Sequence, residues 1–507
     1  MSKDRVKRAG RGALFIAGAK FLFLLSGLGL TFLVPRLIVD GEGEQDPAQF
    51  GRYRVAAQTM TILAQTLLIG TLQLVSRFAA ERRTSIGTLV AYLARRVLPL
   101  FIAVGLILQL LAPTVATSVL NDPQMTPLLR IAFLIPVIYG CYGLFMGAVN
   151  GSQSFGLQAS LDSGFSVLKL SGILVLCWWF AQSTWPSGGA RGALLGWMTA
   201  ATCITLAAVL ATKKLRRAGL GPLDHIQPGE MKRFALGIFS FTLAFELFKQ
   251  VDLLSAKAMA SSLGVGEAGQ VLVGQYAAAV DFARVPYFIV LGISFVVFPM
   301  LSEAAFSGDD SRIHDYIRRA FRFTLGLATV SALGILIAGP GLLPKLFGPA
   351  YGSAAPVLQI LAFGQVAFAL FTMAMNVLNA SGRPFTALCL VLVPAGIGAL
   401  IVPRVFASGG LIAGAWAMIT LLSLAALAAL ITVRKVLGAT LSLAAFLRIT
   451  GAAVCVGSIA LFWQPSSVIS CVASLAVVGL SDLLILILLR ELNSEDYQLI
   501  KKVLGKA

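Results

Sequence analysis

The sequence predicts an all-α polytopic membrane protein with about fourteen transmembrane helices, in two pseudo-symmetric six-helix lobes followed by two C-terminal helices. The first observation is composition. The 507 residues are 58% hydrophobic and 12% charged, with a mean hydropathy of +0.87, as is typical of chains that cross a membrane many times. The second is an internal repeat, because Phe50-Gly51-Arg52-Tyr53 returns as Val273-Gly274-Gln275-Tyr276. Repeated halves are common in membrane transporters.

Fourteen apolar segments account for the predicted helices. Most have about 20 residues or more, which as a helix is enough to cross a hydrocarbon core of ~30 Å. They lie at 12–39, 50–76, 90–112, 128–149, 157–182, 192–212, 234–257, 273–300, 319–339, 354–379, 385–403, 410–433, 444–463 and 468–489.

Two further matches extend the repeat in the same order. At nearly constant offset, Gly70 with Glu81 returns as Gly292 with Glu303, and Asn150-Gly151-Ser152 returns as Asn379-Ala380-Ser381. Each half has six predicted helices, an even number, so the halves share one orientation in the membrane. A secondary transporter that moves one half against the other has this organisation.

The repeat defines the expected domains. An N-lobe covers 1–212, a basic cytoplasmic linker 213–233, a C-lobe 234–436, and two further helices with a cytoplasmic tail 437–507. No polar stretch is long enough for an extramembrane domain, so we expect any function to reside between helices or in short loops.

Basic residues predict the orientation. With the N-terminus inside, the inner segments carry twenty-eight Lys and Arg and the outer loops three, namely Arg191, Lys345 and Arg404. The positive-inside rule therefore places both termini in the cytoplasm, and we expect a multi-pass protein of the bacterial cytoplasmic membrane. The net charge of +18 follows from these loops. Contact with the anionic lipid surface explains it better than nucleic-acid binding.

The sequence lacks the motifs of several kinds of enzyme and nucleotide-binding protein. There is no phosphate-binding G-x-x-x-x-G-K-[ST] loop and no G-x-S-x-G elbow. The two histidines, His225 and His314, lie in predicted cytoplasmic loops, and the six cysteines are scattered through apolar segments without paired spacing. We therefore expect no enzyme activity, no metal and no cofactor, although transport could be coupled to H⁺ or Na⁺.

Charged residues inside the predicted helices are the candidate functional residues. A charge at mid-bilayer costs at least ~2.5–3.5 kcal/mol on insertion scales, so such residues face a partner or a watery cavity. Nearly all lie in the first eight helices: Lys20, Arg36, Arg52, Arg54, Arg130, Lys169, Lys249, Lys257 and Arg284 are basic, and Asp162, Glu246, Asp252 and Asp281 are acidic.

Helical spacing leaves a structural alternative open for some of these charges. Glu246 and Lys249 are three residues apart, as are Asp281 and Arg284. Ion pairing within a helix would lower the cost of inserting them and need not involve a substrate. Arg36, near a predicted outer end, could extend to the lipid head groups instead.

The functional interpretation is a central cavity with excess positive charge, lined by the first, second, fifth, seventh and eighth helices. Arg and Lys suit a phosphate-bearing substrate, and Arg adds a bidentate fork. Nine basic residues against four acidic ones favour an anion over a hydrophobic cation.

Four short motifs resemble the oligosaccharide flippase (Wzx-type) branch of the multidrug/oligosaccharidyl-lipid/polysaccharide exporter superfamily, over most of 12–436. They comprise an Arg before F-G-x-Y, an Asp before V-G-x-Y, an F-P-x-L-S sequence and an N-A-x-G-[RK] turn. Here they are Arg36 with Phe50-Gly51-Arg52-Tyr53, Asp252 with Val273-Gly274-Gln275-Tyr276, Phe298-Pro299-Met300-Leu301-Ser302 and Asn379-Ala380-Ser381-Gly382-Arg383.

The resemblance implies export of a polyprenyl-pyrophosphate-linked oligosaccharide from the inner to the outer leaflet by alternating access, for surface polysaccharide synthesis. Membrane lipids and polysaccharide polymerase machinery are the further partners it suggests. The expected substrate-binding residues are Lys20, Arg36, Arg52, Lys169, Lys249 and Arg284, and the expected charge-balancing or ion-coupling residues are Asp162, Glu246, Asp252 and Asp281.

Other functions are compatible with the same sequence. A lipid II (peptidoglycan precursor) flippase shares the fold and helix count, and a drug or cation exporter shares the fold. A membrane glycosyltransferase or polymerase would need larger outer loops than these. A non-transporting scaffold would tolerate paired replacement of its intramembrane charges by apolar residues.

Overall fold

The computed structural model describes residues 3–40, 42–81, 85–183, 185–223, 227–262, 266–288, 310–458 and 465–488, with single positions 293, 297, 301, 304 and 463. Side chains are described from residue 18 onward, apart from those at 262, 483, 486 and 488. Several sequence predictions lie outside the described residues. They are Gly292 and Glu303 of the repeat, most of Phe298–Ser302, the end of the predicted helix at 273–300, His225, and the tail from 489.

The described chain is helical, with a single β-bridge between Val39 and Gln45. We number the α-helices in chain order. They are α1 Lys3–Leu37, α2 Pro47–Glu81, α3 Ile86–Thr114, α4 Thr126–Ala132, α5 Ile135–Gly151, α6 Phe155–Ala181, α7 Gly188–Ala211, α8 Lys213–Ala218, α9 Pro228–Ser262, α10 Gly266–Ala283, α11 Asp310–Leu346, α12 Ala355–Ala380, α13 Pro384–Leu437, α14 Leu443–Gly457 and α15 Val468–Leu488.

These helices confirm the predicted fold class. Ten of the described segments are long and apolar enough to cross a membrane, and α14 and part of α15 are shorter apolar helices. The α13 segment holds two predicted spans, because its helix is broken at Gly410, where φ is 70° and ψ is −164°. The positive φ requires glycine at this break. Each of the fourteen predicted segments therefore coincides with at least part of a helix.

Helix ends differ from the predicted ones because polar residues extend the helices beyond their apolar cores. The predicted helix at 50–76 is α2, Pro47–Glu81, and the one at 234–257 is α9, Pro228–Ser262. The 213–233 segment, expected to be a linker, contains α8 and the first turns of α9. Charged residues are acceptable there because helix ends can extend past the hydrocarbon into the head-group region.

Residue contacts divide the chain into two units. The first unit comprises 1–277 and 391–410, and the second comprises 278–390 and 411–507. The lobe boundaries drawn from the sequence repeat stay a prediction.

In the first unit, α6 packs against α1 and α7, and α2 packs against α5 and α9. Small residues on α5 allow this helix to approach α2 closely. A Cβ atom added at Gly143 or Gly147 of α5 would lie 2.8 Å from the backbone oxygen of Leu68 or Leu72 of α2. Helices inside a membrane gain their stability from such close van der Waals packing, which glycine allows.

In the second unit, α11 is the central helix. It packs against α12, α14 and α15, and α14 also contacts α15. Leu333 and Ile337 of α11 form a small buried cluster with Val456 of α14 and Val478 of α15. The two C-terminal helices are thus held to this unit by apolar packing.

Candidate functional site

A buried group of charges joins α2, α9 and α10 to the loop before α4. The Arg52 Nε atom donates to Asp122 Oδ2 over 2.9 Å, and its two terminal nitrogens donate to the two carboxylate oxygens of Glu267 over 2.9 and 2.6 Å. Lys257 Nζ donates to the same Asp122 oxygen over 2.8 Å and to Gln270 Oε1 over 2.5 Å. We call these five residues the Arg52 cluster.

Burial strengthens the attraction between the opposite charges of the Arg52 cluster. Lys257 is fully buried, and Arg52 and Asp122 are about 5% exposed at their side chains, whereas the Glu267 side chain is 60% exposed. Burial disfavours the charged form of Asp122, but the hydrogen bonds and positive charges of Lys257 and Arg52 outweigh it. They hold the pKa of Asp122 below its ordinary value. The two cations and two carboxylates balance, so the cluster has no net charge to attract a substrate.

The two repeated glycines meet beside this cluster. A Cβ atom at Gly51 of α2 would lie 2.8 Å from the backbone nitrogen of Gly274 of α10, and one at Gly274 would overlap the backbone oxygen of Pro47. The equivalent positions of the internal repeat therefore lie in direct contact with no room for a side chain. Any larger residue at either position forces the backbones apart.

Lys20 of α1 forms an ion pair with Asp162 of α6, with 2.9 Å between Nζ and Oδ2. The Lys20 side chain is 29% exposed and that of Asp162 is 15% exposed. The pair lies within helices predicted to cross the membrane, and it is partly accessible. The two charges satisfy each other inside the span.

Lys169 of α6 has a different environment. Its Nζ lies 3.8 Å from the ring centroid of Trp197 of α7, and the Trp197 indole nitrogen donates to the Tyr139 hydroxyl of α5 over 2.8 Å. The positive charge of Arg54 on α2 is close enough to repel that of Lys169. Among the described residues, Lys169 has no carboxylate partner. Lys169 is therefore a basic residue inside the membrane span with no described acidic partner of its own.

Lys249 and Glu246 pair within α9. Lys249 Nζ donates to both Glu246 carboxylate oxygens over 2.9 and 3.0 Å. This is the ion pairing within one helix that the three-residue spacing allowed, in which neighbouring charges balance each other without a substrate. Asp252, also buried on α9, accepts a hydrogen bond from the backbone nitrogen of Leu253 over 2.7 Å.

Three predicted residues remain to be placed. Arg36 is exposed near the end of α1. Asp281 and Arg284 belong to the second unit, where Asp281 is buried and Arg284 is partly buried. Among the ten candidate residues, Lys20 forms an ion pair with Asp162, and Lys249 forms one with Glu246. Whether any of them binds substrate stays a prediction.

Sequence reasoning missed Asp122 and Glu267 as partners of Arg52. Both fall in or beside predicted outer loops, so a search restricted to helix interiors passed over them. The sequence signal is limited to the side of the membrane, because Arg52 and Lys257 lie at the predicted outer ends of their helices, on the same side as Asp122 and Glu267. In the described residues, no group of three or more His, Cys, Asp or Glu side chains is arranged to hold a metal ion.

An apolar pocket of about 440 Å³ lies within the first unit, between α9 and the first half of α13. Its lining is almost entirely apolar, and Gly396 leaves open space where a side chain would stand. Its residues are Ala244, Leu247, Val251, Leu254, Ser255, Leu392, Ala395, Gly396, Ala399 and Pro403. An acyl or isoprenoid chain has the chemistry to fill such a space.

Solved membrane transporters share this fold. A structure described as the lipid II flippase MurJ in an inward closed conformation matches with a TM-score of 0.71 and 14% sequence identity, covering 93% of this chain and 99% of that one. An inward-facing multidrug resistance MATE family transporter matches with a TM-score of 0.64 and 13% identity, over 85% and 98% of the two chains. A MOP superfamily transporter from Pyrococcus furiosus matches with a TM-score of 0.61 and 14% identity, over 85% and 96%.

Sequence comparison gives one curated relative and one family. An uncharacterized membrane protein of Methanocaldococcus jannaschii is 31% identical over 97 residues, which is 19% of each chain. The family model described as polysaccharide biosynthesis protein matches residues 45–305, just over half of the chain. The predicted resemblance to the polysaccharide exporter superfamily is confirmed, and its Wzx-type branch stays a prediction. The chain belongs to the polysaccharide biosynthesis protein family.

Proposed function

We propose that this protein is a flippase that moves a polyprenyl-pyrophosphate-linked oligosaccharide from the inner to the outer leaflet of the cytoplasmic membrane, for surface polysaccharide synthesis. Family membership supports the polysaccharide part of this proposal. The fold shared with transporters that include a lipid II flippase supports the lipid-linked part.

The observation that carries the proposal is the charge around Lys169. A lysine within a membrane span normally pairs with an acid, because an isolated charge is costly there. Lys169 instead lies beside a second cation, Arg54, and against the face of Trp197. Such a position has unused capacity for an anion, and a pyrophosphate would supply two phosphate groups for it. A hydrophobic cation would be repelled.

The aromatic residues around Lys169 suit the other part of the substrate. Trp197 and Tyr139 are held by their mutual hydrogen bond, and Tyr139 packs edge-on to Phe165 at 5.7 Å between ring centroids. A fixed indole face next to a cation is a surface on which a sugar ring can stack. We therefore assign Lys169 to the pyrophosphate and its aromatic neighbours to the first sugar.

The paired charges take a second role in the proposal. Lys20 with Asp162 and Lys249 with Glu246 are internally balanced, so each pair can exchange its partner for a substrate phosphate, a proton or a sodium ion as the transporter changes state. The lipid tail remains in an apolar environment, for which the pocket beside Gly396 is a candidate. Alternating access then requires the α2–α10 contact to open and close.

Transport of lipid II is the second candidate, because the structure of a lipid II flippase matches over 93% of this chain. Its substrate also carries a pyrophosphate on a polyprenyl chain, so Lys169 would serve it equally well. The two functions differ in phenotype. Loss of a lipid II flippase stops growth, whereas loss of an oligosaccharide flippase removes a surface polymer.

Mass spectrometry of lipids from the native host, with and without the gene, tests the proposal. Loss of the gene should cause a polyprenyl-pyrophosphate oligosaccharide to accumulate while the surface polymer disappears and the cells survive. Accumulation of lipid II with loss of viability would favour the second candidate. Unchanged amounts of both lipids in viable cells would contradict both.

A further inference from the structure

The C-terminal helix α15 buries a carboxyl group. Asp482 is 0% exposed, and apart from Cys471 it is the only ionisable residue of this helix, which otherwise consists of apolar and small residues. Neither of its carboxylate oxygens has a hydrogen-bond partner among the described residues. An ionisable side chain buried in a transmembrane helix marks a candidate functional site, because its insertion into the membrane is costly.

The Asp482 side chain belongs to the face of α15 that packs against α11 and α14. Val478, one helical turn earlier, is buried in a cluster with Leu333 of α11 and Val456 of α14. Ile485, almost one turn later, packs against the same cluster. Residues three or four apart share one face of a helix. Asp482 is therefore flanked along α15 by two side chains that contribute to an apolar core.

The two helices packed against α15 offer few ionisable residues. In sequence, α11 has none between Arg322 and Lys345, and α14 has only Arg448 and Cys455, both of which are exposed. No ion pair joins Asp482 to a cation among the described residues. An ionised Asp482 would thus be buried without a compensating charge, and a carboxyl group in such surroundings is neutral instead.

A proton is the ligand that suits these surroundings. Hard metal cations require several oxygen ligands, whereas the described cluster beside Asp482 consists of alkyl side chains. A proton requires a single carboxylate oxygen, and it removes the charge whose burial is unfavourable. The neutral acid is then compatible with the apolar packing of α15.

We propose that Asp482 is a proton-binding site, which holds its proton while α15 is packed against α11 and releases it to water only when the two helices separate. The site goes beyond the transport function, because Lys20, Lys169 and Lys249 belong to the first unit and Asp482 to the second. Separation admits water, which can solvate the carboxylate. Since the proton binds the packed arrangement only, it stabilises that arrangement.

Infrared spectroscopy of the full-length protein tests whether the proton is bound. The carbonyl band of a protonated carboxylic acid is separate from the bands of a carboxylate. The wild-type spectrum at about pH 7, minus that of Asp482→Asn, should therefore contain the acid band. Asp482→Leu, which also lacks the carboxyl group, is the reference if the Asn variant does not fold. The matched control is Glu267→Gln, which removes a largely exposed carboxylate and should give carboxylate bands only. Carboxylate bands for Asp482 would overturn the proposal.

Crosslinking tests whether proton release accompanies helix separation. A Cβ atom at Gly334 of α11 would lie 2.8 Å from Leu475 Cδ2 of α15. In a protein whose native cysteines are replaced by alanine, Gly334→Cys with Leu475→Cys should therefore react with a short thiol crosslinker while the helices are packed.

Raising the pH should lower the crosslinking yield when Asp482 is present, because the separated form gains up to about tenfold per pH unit once the proton is lost. The same cysteine pair with Asp482→Asn should show no such loss. Thiol reactivity itself depends on pH, so the two proteins are compared at each pH. Equal yields in both proteins over the whole range would overturn the coupling of proton release to helix separation.

Discussion

Arg52 of α2 and Glu267 of α10 are joined by two parallel hydrogen bonds of 2.9 and 2.6 Å. The same arginine donates to Asp122, which also accepts from Lys257. One guanidinium group thus connects both repeat-related helices to the end of α9. Under the proposed alternating-access mechanism, we expect these contacts to hold one side closed and to break when that side opens.

The two carboxylates of the Arg52 cluster should differ sharply in their effect on stability. Asp122→Asn leaves two buried cations without their shared anion, and breaking such a pair costs about 3–5 kcal/mol. Glu267→Gln removes a largely exposed charge, for which a loss of about 0–1 kcal/mol in the free energy of unfolding is expected. Thermal unfolding of both purified variants measures the difference. An equal loss of stability in the two variants would mean that burial does not determine how much each carboxylate stabilises the protein.

The pH dependence of stability should identify Asp122. Its pKa is lowered from 3.8 in the folded protein, so its stabilisation is fully present above the unfolded pKa. It is lost as pH falls through the lower folded pKa. The melting temperature of the wild type should therefore fall more steeply below about pH 4 than that of Asp122→Asn. Parallel curves for the two proteins would show that Asp122 is not held in its charged form.

The contact between the repeated glycines predicts a conformational effect. Gly274→Ala places a methyl group against the Pro47 backbone oxygen, so α2 and α10 must separate at the cost of about 1–3 kcal/mol. Crosslinking between cysteines introduced on α2 and α10 near this contact should decrease. Gly237→Ala is the matched control, because nothing lies within 4 Å of the added carbon. An unchanged crosslinking yield in Gly274→Ala would contradict the close contact.

Paired replacement tests whether the Lys20–Asp162 ion pair is only structural. Lys20→Met with Asp162→Leu removes both charges together, so folding should be preserved or improved. We expect normal protein amounts in the membrane but loss of surface polymer. Polymer at the wild-type level would assign the pair to structure alone and would favour a scaffold role for this part of the protein.

The apolar pocket predicts a steric effect on transport. Gly396→Phe fills open space between α9 and α13 without meeting any atom within 4 Å of its Cβ. It should leave the melting temperature nearly unchanged and slow transport if the lipid tail enters there. Gly451→Phe, at an equally open position on α14, controls for bulk at the membrane surface. Equal transport rates for the two variants would exclude this pocket from the lipid path.

The fold class could be predicted from the sequence because the length of an apolar segment can be read from consecutive residues. Each of the fourteen apolar segments formed a helix at least in part, and even the break at Gly410 coincides with the start of a separately predicted span. Helix ends were less predictable, because the polar extensions of α2 and α9 carry no hydropathy signal.

The candidate site was predicted only where its partners are near in sequence. Helical spacing is enough to bring Glu246 and Lys249 together, since they are one turn apart. The pairing of Lys20 with Asp162 depends on the packing of α1 against α6, and no sequence pattern contains that information. Asp122 and Glu267 were missed for the same reason, because their partner Arg52 lies 70 and 215 residues away.

Binding of the pyrophosphate of a lipid-linked oligosaccharide to Lys169 is the step on which the proposed function depends. Its most direct test uses purified protein in liposomes that contain a polyprenyl-pyrophosphate oligosaccharide, with movement between leaflets followed by accessibility to an added glycosidase. The wild type and Arg130→Gln, which removes an exposed arginine, should both move the lipid, and Lys169→Gln should reduce the rate by about tenfold or more. A rate for folded Lys169→Gln equal to that of the wild type would show that Lys169 does not bind the pyrophosphate.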